Sequence, residues 1–356
     1  MCKLCFSKTY LVMDSSNESI SQVVLKEMLK YKPSLQKVMT SGEECEEDND
    51  PRYKGQMVIK NLPLPVGVEL RRLFSVSLKQ NYSQRLEQIL ATIEKSLQLV
   101  SYILISQLWN EKKLNRIVIP ENFSKIFRQK IYLRNIENYR WIIGSVNSLL
   151  EERSIELFVP ELQKSLNEEF TNSYEFYVPG KNPEGRYIIT GQPEHVERVC
   201  NETEERLIQL LQRLAFLANY KLASVQQIRV FKPKYQQPKY NHVLKLLTCT
   251  DSDFNSFEQQ DNKCADSHSV LLMKSQLPLN ENLNLSPLII DTASFLTDGQ
   301  TDNKIKKDIF LYDGSHDNHL NYKGCRVTEK CDLSGLPDYP MLSAQFQDMM
   351  MTIGGK

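Results

Sequence analysis

The sequence points to an α+β protein: an N-terminal, mainly helical domain, then a long helix, then a domain built on an antiparallel β-sheet. Two patterns carry that expectation. Between residues 83 and 109, apolar side chains recur every three or four positions, the period of one helix face. Between residues 221 and 327, six short apolar runs are separated by polar loops with no helical period, which is how antiparallel strands read.

Taken in order, "KTYLVMD" (8–14) is expected to form a short strand, and "ISQVVLKEMLKYKPSLQKVM" after it has helical spacing as far as Pro33. Residues 1–40 therefore form a strand and helix segment. In "SGEECEEDNDPRYKG" (41–55), acidic charge, Pro and Gly replace apolar residues. Such a run has too little surface to bury to offset its ordering entropy, so it reads as a linker.

Residues 56–172 read as the helical domain. Leu86, Leu90, Ile93, Leu97, Val100, Leu104 and Leu108 line one side of a helix for which Ser83 is the expected N-cap. Tyr139, Ile142, Ile143, Val146, Leu149 and Leu150 do the same in a second helix, which Pro160, lacking an amide proton, bends or restarts.

Residues 173–356 form the α+β domain. Gly and Pro in "NSYEFYVPGKNPEGRYIITG" set a turn between two short Tyr/Ile/Val-rich runs, read as a hairpin. A third long helix follows, with Pro193 in its first turn and Val196, Val199, Cys200, Leu207, Leu210, Leu211, Leu214 and Leu217 facing a core. The strand-like runs are "KLASVQQIRVF", "HVLKLLTCT", "HSVLLMK", "LSPLIIDTA", "DIFLYDG" and "LNYKGCRV". The polar insert 251–267 reads as a surface loop, and "MLSAQFQDMMM" as a final helix.

Charge and cysteine usage narrow the function classes. Lys plus Arg and Asp plus Glu each total 44, so net charge gives no pull toward nucleic acid or anionic lipid. The eight scattered cysteines read as free thiols of a reducing, cytoplasmic compartment. The opening "MCKLCFSKTYLVMDSS" has polar and basic residues where a signal peptide needs an apolar run. The most apolar stretch carries Glu87, Glu94 and Lys95, so a buried helix is expected and no membrane span.

No phosphate-binding glycine loop, dinucleotide fingerprint or G-x-S-x-G elbow is present, so no cofactor and no catalytic residues are expected. None of the five histidines, His195, His242, His268, His316 and His319, has an arginine four to six residues before it, the spacing of helical ribonucleases. "CKLC" (Cys2, Cys5) has the gap of a zinc knuckle without a second pair to close it. The densest collection of ligand-type side chains is His316, His319, Cys325 and Cys331. Its spacing matches no zinc motif, and the alternating flanks make it a β-hairpin without metal. Asp251, Asp253, Asp298 and Asp302 read as solvated loop acids, and Trp109 and Trp141 as core residues.

The order "NLPLPVGVELRRLF", "RLEQILATIEKSLQLVSYILISQL", "TGQPEHVERVCNETEERLIQLLQRLAFLANYKLASVQQIRV", "NLNLSPLIIDTASF" and "DIFLYDGSHDNHLNYKGCRV" resembles the helical plus β-rich accessory modules of multidomain bacterial signalling and conflict proteins associated with STAND-type NTPases. The resemblance spans most of residues 56–326. It implies a regulatory or sensor module that binds a partner, expected to be a protein, and passes a signal to an effector. A nucleic-acid- or nucleotide-processing defence enzyme, with residues gathered from distant loops, and a scaffolding subunit are the competing expectations.

Overall fold

The computed structural model describes residues 15–36, 50–75, 78, 81–133, 135–165, 178–182, 185–249, 256–274, 281–295, 307–316, 319–327, 330–331, 333–336 and 338–355. The expected strand at 8–14, the acidic stretch up to residue 49 and the "CKLC" pair lie outside these residues. The chain is α+β, as its apolar periods require. It divides into two compact units that interleave along the sequence: residues 1–62, 66–95 and 174–218 form one, and 63–65, 96–173 and 219–356 the other. Residues 174–218, grouped by sequence with the sheet domain, therefore belong with the N-terminal helices.

In the first unit, α1 (Ser15–Tyr31) stops just before Pro33, and α2 (Pro51–Asn61) begins inside the stretch read as a linker. The reason is local. The Asp50 carboxylate accepts the amide of Arg52 at 2.8 Å, and Pro51 fills a first-turn position that needs no donor. The helix α3 spans Leu64–Leu73, and α4 spans Tyr82–Lys113. The N-cap of α4 is Asn81, whose side-chain oxygen accepts from the Gln84 amide at 3.1 Å; Ser83, the expected cap, already lies in the first turn. Residues 82–95 of α4 join this unit, and so does α8 (Pro193–Arg213), which starts on its proline as expected. Ile20, Val24 and Met28 of α1, Ile89 and Ile93 of α4, and Leu207, Leu210 and Leu211 of α8 are fully buried. Of the hairpin expected near 172–191, the described residues show an antiparallel bridge, Lys181 to Tyr187, with Gly185 at φ +77 between them.

The second unit takes residues 96–113 of α4, followed by α5 (Glu121–Tyr132), α6 (Ile136–Glu152) and α7 (Glu161–Ser165). The helix α6 ends at Glu152, shortly before Ser154 with φ +53, and α7 starts directly after Pro160, which restarts the helix and does not break it. Every apolar residue expected on the α4 face is buried to within 1%. α4 is long and apolar enough to cross a membrane by length and a mean hydropathy of 1.3, yet 94% of that window is buried inside the protein. Apolar surface already covered by the chain itself is not available to lipid.

Two antiparallel sheets complete this unit where one was expected. The first contains β1 (Tyr220–Phe231), β2 (Lys239–Leu246), β3 (Ser256–Asp261), β4 (Val270–Lys274) and β5 (Asn282–Asn284), in the order β3-β2-β1-β4-β5. β3 lies inside the insert read as a loop. Its sequence, SFEQQD, carries one apolar residue, Phe257, which packs on the core made by Ala223, Val225, Leu244, Leu271 and Met273. A half-exposed edge strand needs no more than that. The second sheet contains β6 (Ile289–Asp291), β7 (Ile309–His316), β8 (His319–Gly324) and β9 (Lys330–Cys331), in chain order, with the short helix α9 (Thr292–Phe295) after β6. The final helix, α10 (Tyr339–Gly354), forms where the sequence placed one. Its C-terminal carbonyls bond to α5, with Ser124 Oγ donating to Ile353 O at 2.6 Å and Arg128 Nε to Gly354 O at 2.5 Å.

Candidate interaction surface

The first sheet has five strands at its base and continues past Ser224 as β1, β2 and β3, with the Phe231–Lys239 pair and the connection that follows it reaching beyond β3 as an arm. β4 pairs with β1 only from Tyr220 to Ser224, whereas β2 follows β1 out to the Phe231–Lys239 pair. A register shift between Val225 and Gln227 marks the point where β1 leaves the base, as bulges at sheet rims often do. On the far side β3 ends at the Tyr240–Asp261 pair. Residues Val225–Phe231 thus extend about 20 Å beyond the last β4 pair, at ~3.3 Å per residue.

Two prolines shape the end of this arm. Pro233 and Pro238 donate nothing to a ladder, so the paired strands stop at Phe231 and Lys239. The connection closes with Gln236 N donating to Pro233 O at 3.2 Å. Tyr235, at its apex, has φ +63, a left-handed conformation that few non-glycine residues adopt.

The side chains on the arm are aromatic, aliphatic and cationic, and they face solvent. Tyr235 is 94% exposed, Val230 63% and Phe231 61%. Because strand residues alternate in direction, Val230 and Phe231 occupy opposite faces, Phe231 sharing its face with Lys239 and Arg229. Arg229 pairs with Glu258 at 3.3 Å and bonds to Gln227. The Lys234 ammonium sits 5.0 Å from the Tyr235 ring centroid. Lys232 and Lys239 have no ion-pair partner among the described residues. Fixed cations beside uncovered aromatic rings favour an anionic partner with flat or apolar surface of its own.

Of the residues singled out by sequence, His242 lies on β2 opposite Ile228. β7 and β8 form the expected hairpin, with His316 opposite His319. His319 is exposed, Cys325 is buried at 2% and Cys331 is in β9; the side chains of His316 and Cys331 fall outside the described ones. Among the described residues no three His, Cys, Asp or Glu side chains gather at metal-binding range. His195 lies on the exposed side of α8 beside Arg198, and His242 is fully buried, its Nε2 accepting the Ala265 amide at 3.0 Å. His268 stacks on Phe295 with centroids 4.9 Å apart. Trp141 packs against Phe123 at 5.6 Å, and Trp109, like Trp141, is half-buried. Asp251, Asp253, Asp298 and Asp302 lie outside the described residues.

The ionisable groups that do meet hold elements together. Arg85 donates to Glu204 through Nε at 2.8 Å and Nη2 at 2.6 Å, and to Asn17 at 3.1 Å, joining α4, α8 and α1. Burial pushes the thiol of Cys200, next to this pair, up to about 12. Glu94 accepts Lys181 Nζ at 2.5 Å and the Tyr187 hydroxyl at 2.7 Å, fixing the 181–187 turn. The Asp308 carboxylate accepts the amides of Ile309, Arg326 and Val327 within 3.0 Å, tying the chain after β8 to the start of β7.

The arm had a signal in the sequence. From Tyr220 to Thr250 there are six basic residues, Lys221, Arg229, Lys232, Lys234, Lys239 and Lys245, and no Asp or Glu. A zero total for the chain conceals it. No family model, no curated protein and no solved structure matches the chain.

Proposed function

We propose that this chain is a non-enzymatic interaction or sensor module, of the kind that accompanies effectors in signalling and conflict systems, and that the β1–β2 arm is its contact surface. The observation that carries this reading is the uncovered arm itself. Tyr235, Phe231 and Val230 are exposed at the outer end of β1 and in its connection to β2, beyond Ile228, the last β1 residue that packs on the sheet's core. Isolated exposed apolar residues are ordinary, whereas three within six positions at the end of an ordered arm, with an aromatic in left-handed conformation at its apex, call for a partner.

The experiment is comparative affinity purification from the native cell. The intact chain is set against one in which residues 231–239 are replaced by Asn-Gly, a two-residue turn that continues the Val230–Tyr240 pair. A component recovered in fixed ratio with the intact chain and lost from the shortened one supports the reading. Equal recovery by both chains, or nothing above background with either, overturns it.

A further inference from the structure

We propose that the arm from Arg229 to Tyr240 binds single-stranded nucleic acid, with Lys232, Lys234 and Lys239 following the phosphates and Tyr235 and Phe231 stacking on bases. This rests on the reading of the arm as a contact surface and names its partner.

Charge is the first argument. Three lysines fall within eight residues of a segment that has no acidic residue from Tyr220 to Thr250. Two acids reach the arm from β3: Glu258, engaged by Arg229 at 3.3 Å and by Asn241 at 2.7 Å, and Asp261, which lies opposite Tyr240 and accepts the Lys263 amide at 3.0 Å. The outer part of the arm thus keeps its positive charge, although the whole chain sums to zero. A local field of this kind attracts a polyanion irrespective of the total.

Aromatic exposure separates the candidate polyanions. A single strand offers base faces for stacking, and every base has one, so exposed rings beside cations suit it without any sequence preference. A duplex hides those faces and is read instead through base edges by polar side chains. The large apolar residues that face outward here, Val230, Phe231 and Tyr235, have little to offer a base edge. An acidic protein surface fits less well, since lysine is depleted at protein interfaces and carboxylates are best gripped by the arginine fork. The one arginine on the arm is already taken by Glu258 and Gln227. An anionic bilayer would call for an apolar wedge at the tip. Here the apex reads Lys234-Tyr235-Gln236-Gln237, and Val230 and Phe231 point to opposite faces.

The test is fluorescence anisotropy of labelled 20-nucleotide oligothymidylate and oligouridylate with the full chain, at 50 and 200 mM salt. Three other probes run alongside: a duplex of equal length, phosphatidylserine vesicles and poly-glutamate. Three phosphate contacts give a slope of log affinity on log salt of about −2, hence roughly 20-fold weaker binding over this fourfold salt range. The K232Q/K234Q/K239Q variant should bind weakly with a slope near zero. Tyr235→Ala should lose about fivefold or more in affinity while keeping the wild-type slope, which separates stacking from charge. Circular dichroism on each variant confirms that the sheet persists.

No oligonucleotide binding at 50 mM salt, duplex binding as tight as single-strand binding, or a lysine variant that binds like wild type would each overturn the proposal. Binding of poly-glutamate or vesicles without oligonucleotides would overturn it in favour of an acidic protein or a lipid surface, leaving the contact-surface reading intact. That broader reading fails separately, when the shortened chain recovers the same components as the intact one.

Discussion

Arg85 is 5% exposed and has Asn17 and Glu204 as partners, yet its Nη1 finds none. A buried ion pair of this type offsets its desolvation poorly, but breaking it strands a charge. Glu204→Gln should therefore lower unfolding stability by about 3–5 kcal/mol, and the double change Arg85→Met with Glu204→Leu should restore most of it. Urea melts of wild type and the two variants check this; a double variant no better than the single one would contradict it. The neighbouring Cys200 gives a pH signature. Burial raises its thiol from 9.0 to about 12 in the fold, so the folded state holds its proton more tightly than the unfolded chain. Its contribution is complete below pH 9 and lost as pH rises toward 12. The hydroxyls of Tyr102, Tyr220 and Tyr322, also raised by burial, add further loss above pH 10. Melting midpoints measured from pH 8 to 11 should fall less steeply from pH 9 in Cys200→Ala than in wild type. An identical slope in the two would rule out this role for the thiol.

At the scale of elements, two strand pairs bend for different reasons. The β7–β8 ladder slips between Tyr312 and Ser315, where Gly314 has φ +105 and a Cβ would meet the Tyr132 carbonyl at 3.0 Å. Gly314→Ala should cost about 1–3 kcal/mol, read as a lowered melting temperature, because both the conformation and the space favour glycine there. The β1–β2 arm contrasts with it. Val230, Phe231 and Tyr235 are all exposed, so replacing residues 231–239 by Asn-Gly should change stability by no more than about 1 kcal/mol. A large loss would show that the arm is part of the folded body. Element legibility follows the same physics. The α4 and α8 faces, built from apolar residues at helical spacing, were readable position by position. β3 was not, since an edge strand with a single core-facing residue, Phe257, leaves no period-2 pattern in SFEQQD. The α2 start at Asp50–Pro51 was masked by its acidic surroundings, although the cap signal itself was present.

For the whole molecule, the α+β class was legible because each half repeats its own period, whereas the interleaving of the two units was not. Nothing in local composition says that residues 174–218 join helices far earlier in the chain; the contacts between them, Lys181 and Tyr187 with Glu94 and Glu204 with Arg85, span 87, 93 and 119 positions. The contact surface was hidden by the same averaging. Forty-four charges of each sign cancel, and only a window over 220–250 reveals six basic residues without an acid. Of the ligand-type residues near the end of the chain, His319 opens β8, whose Leu320 and Tyr322 are core packing, and Cys325 follows directly after it at 2% exposure. The measurement that bears most directly on this picture is an oligothymidylate titration of the arm-shortened chain, with its melting curve recorded in the same buffer. Unchanged melting with binding abolished is the expected result. Binding at wild-type affinity by a folded chain that lacks residues 231–239 would contradict the assignment of the contact surface to the arm.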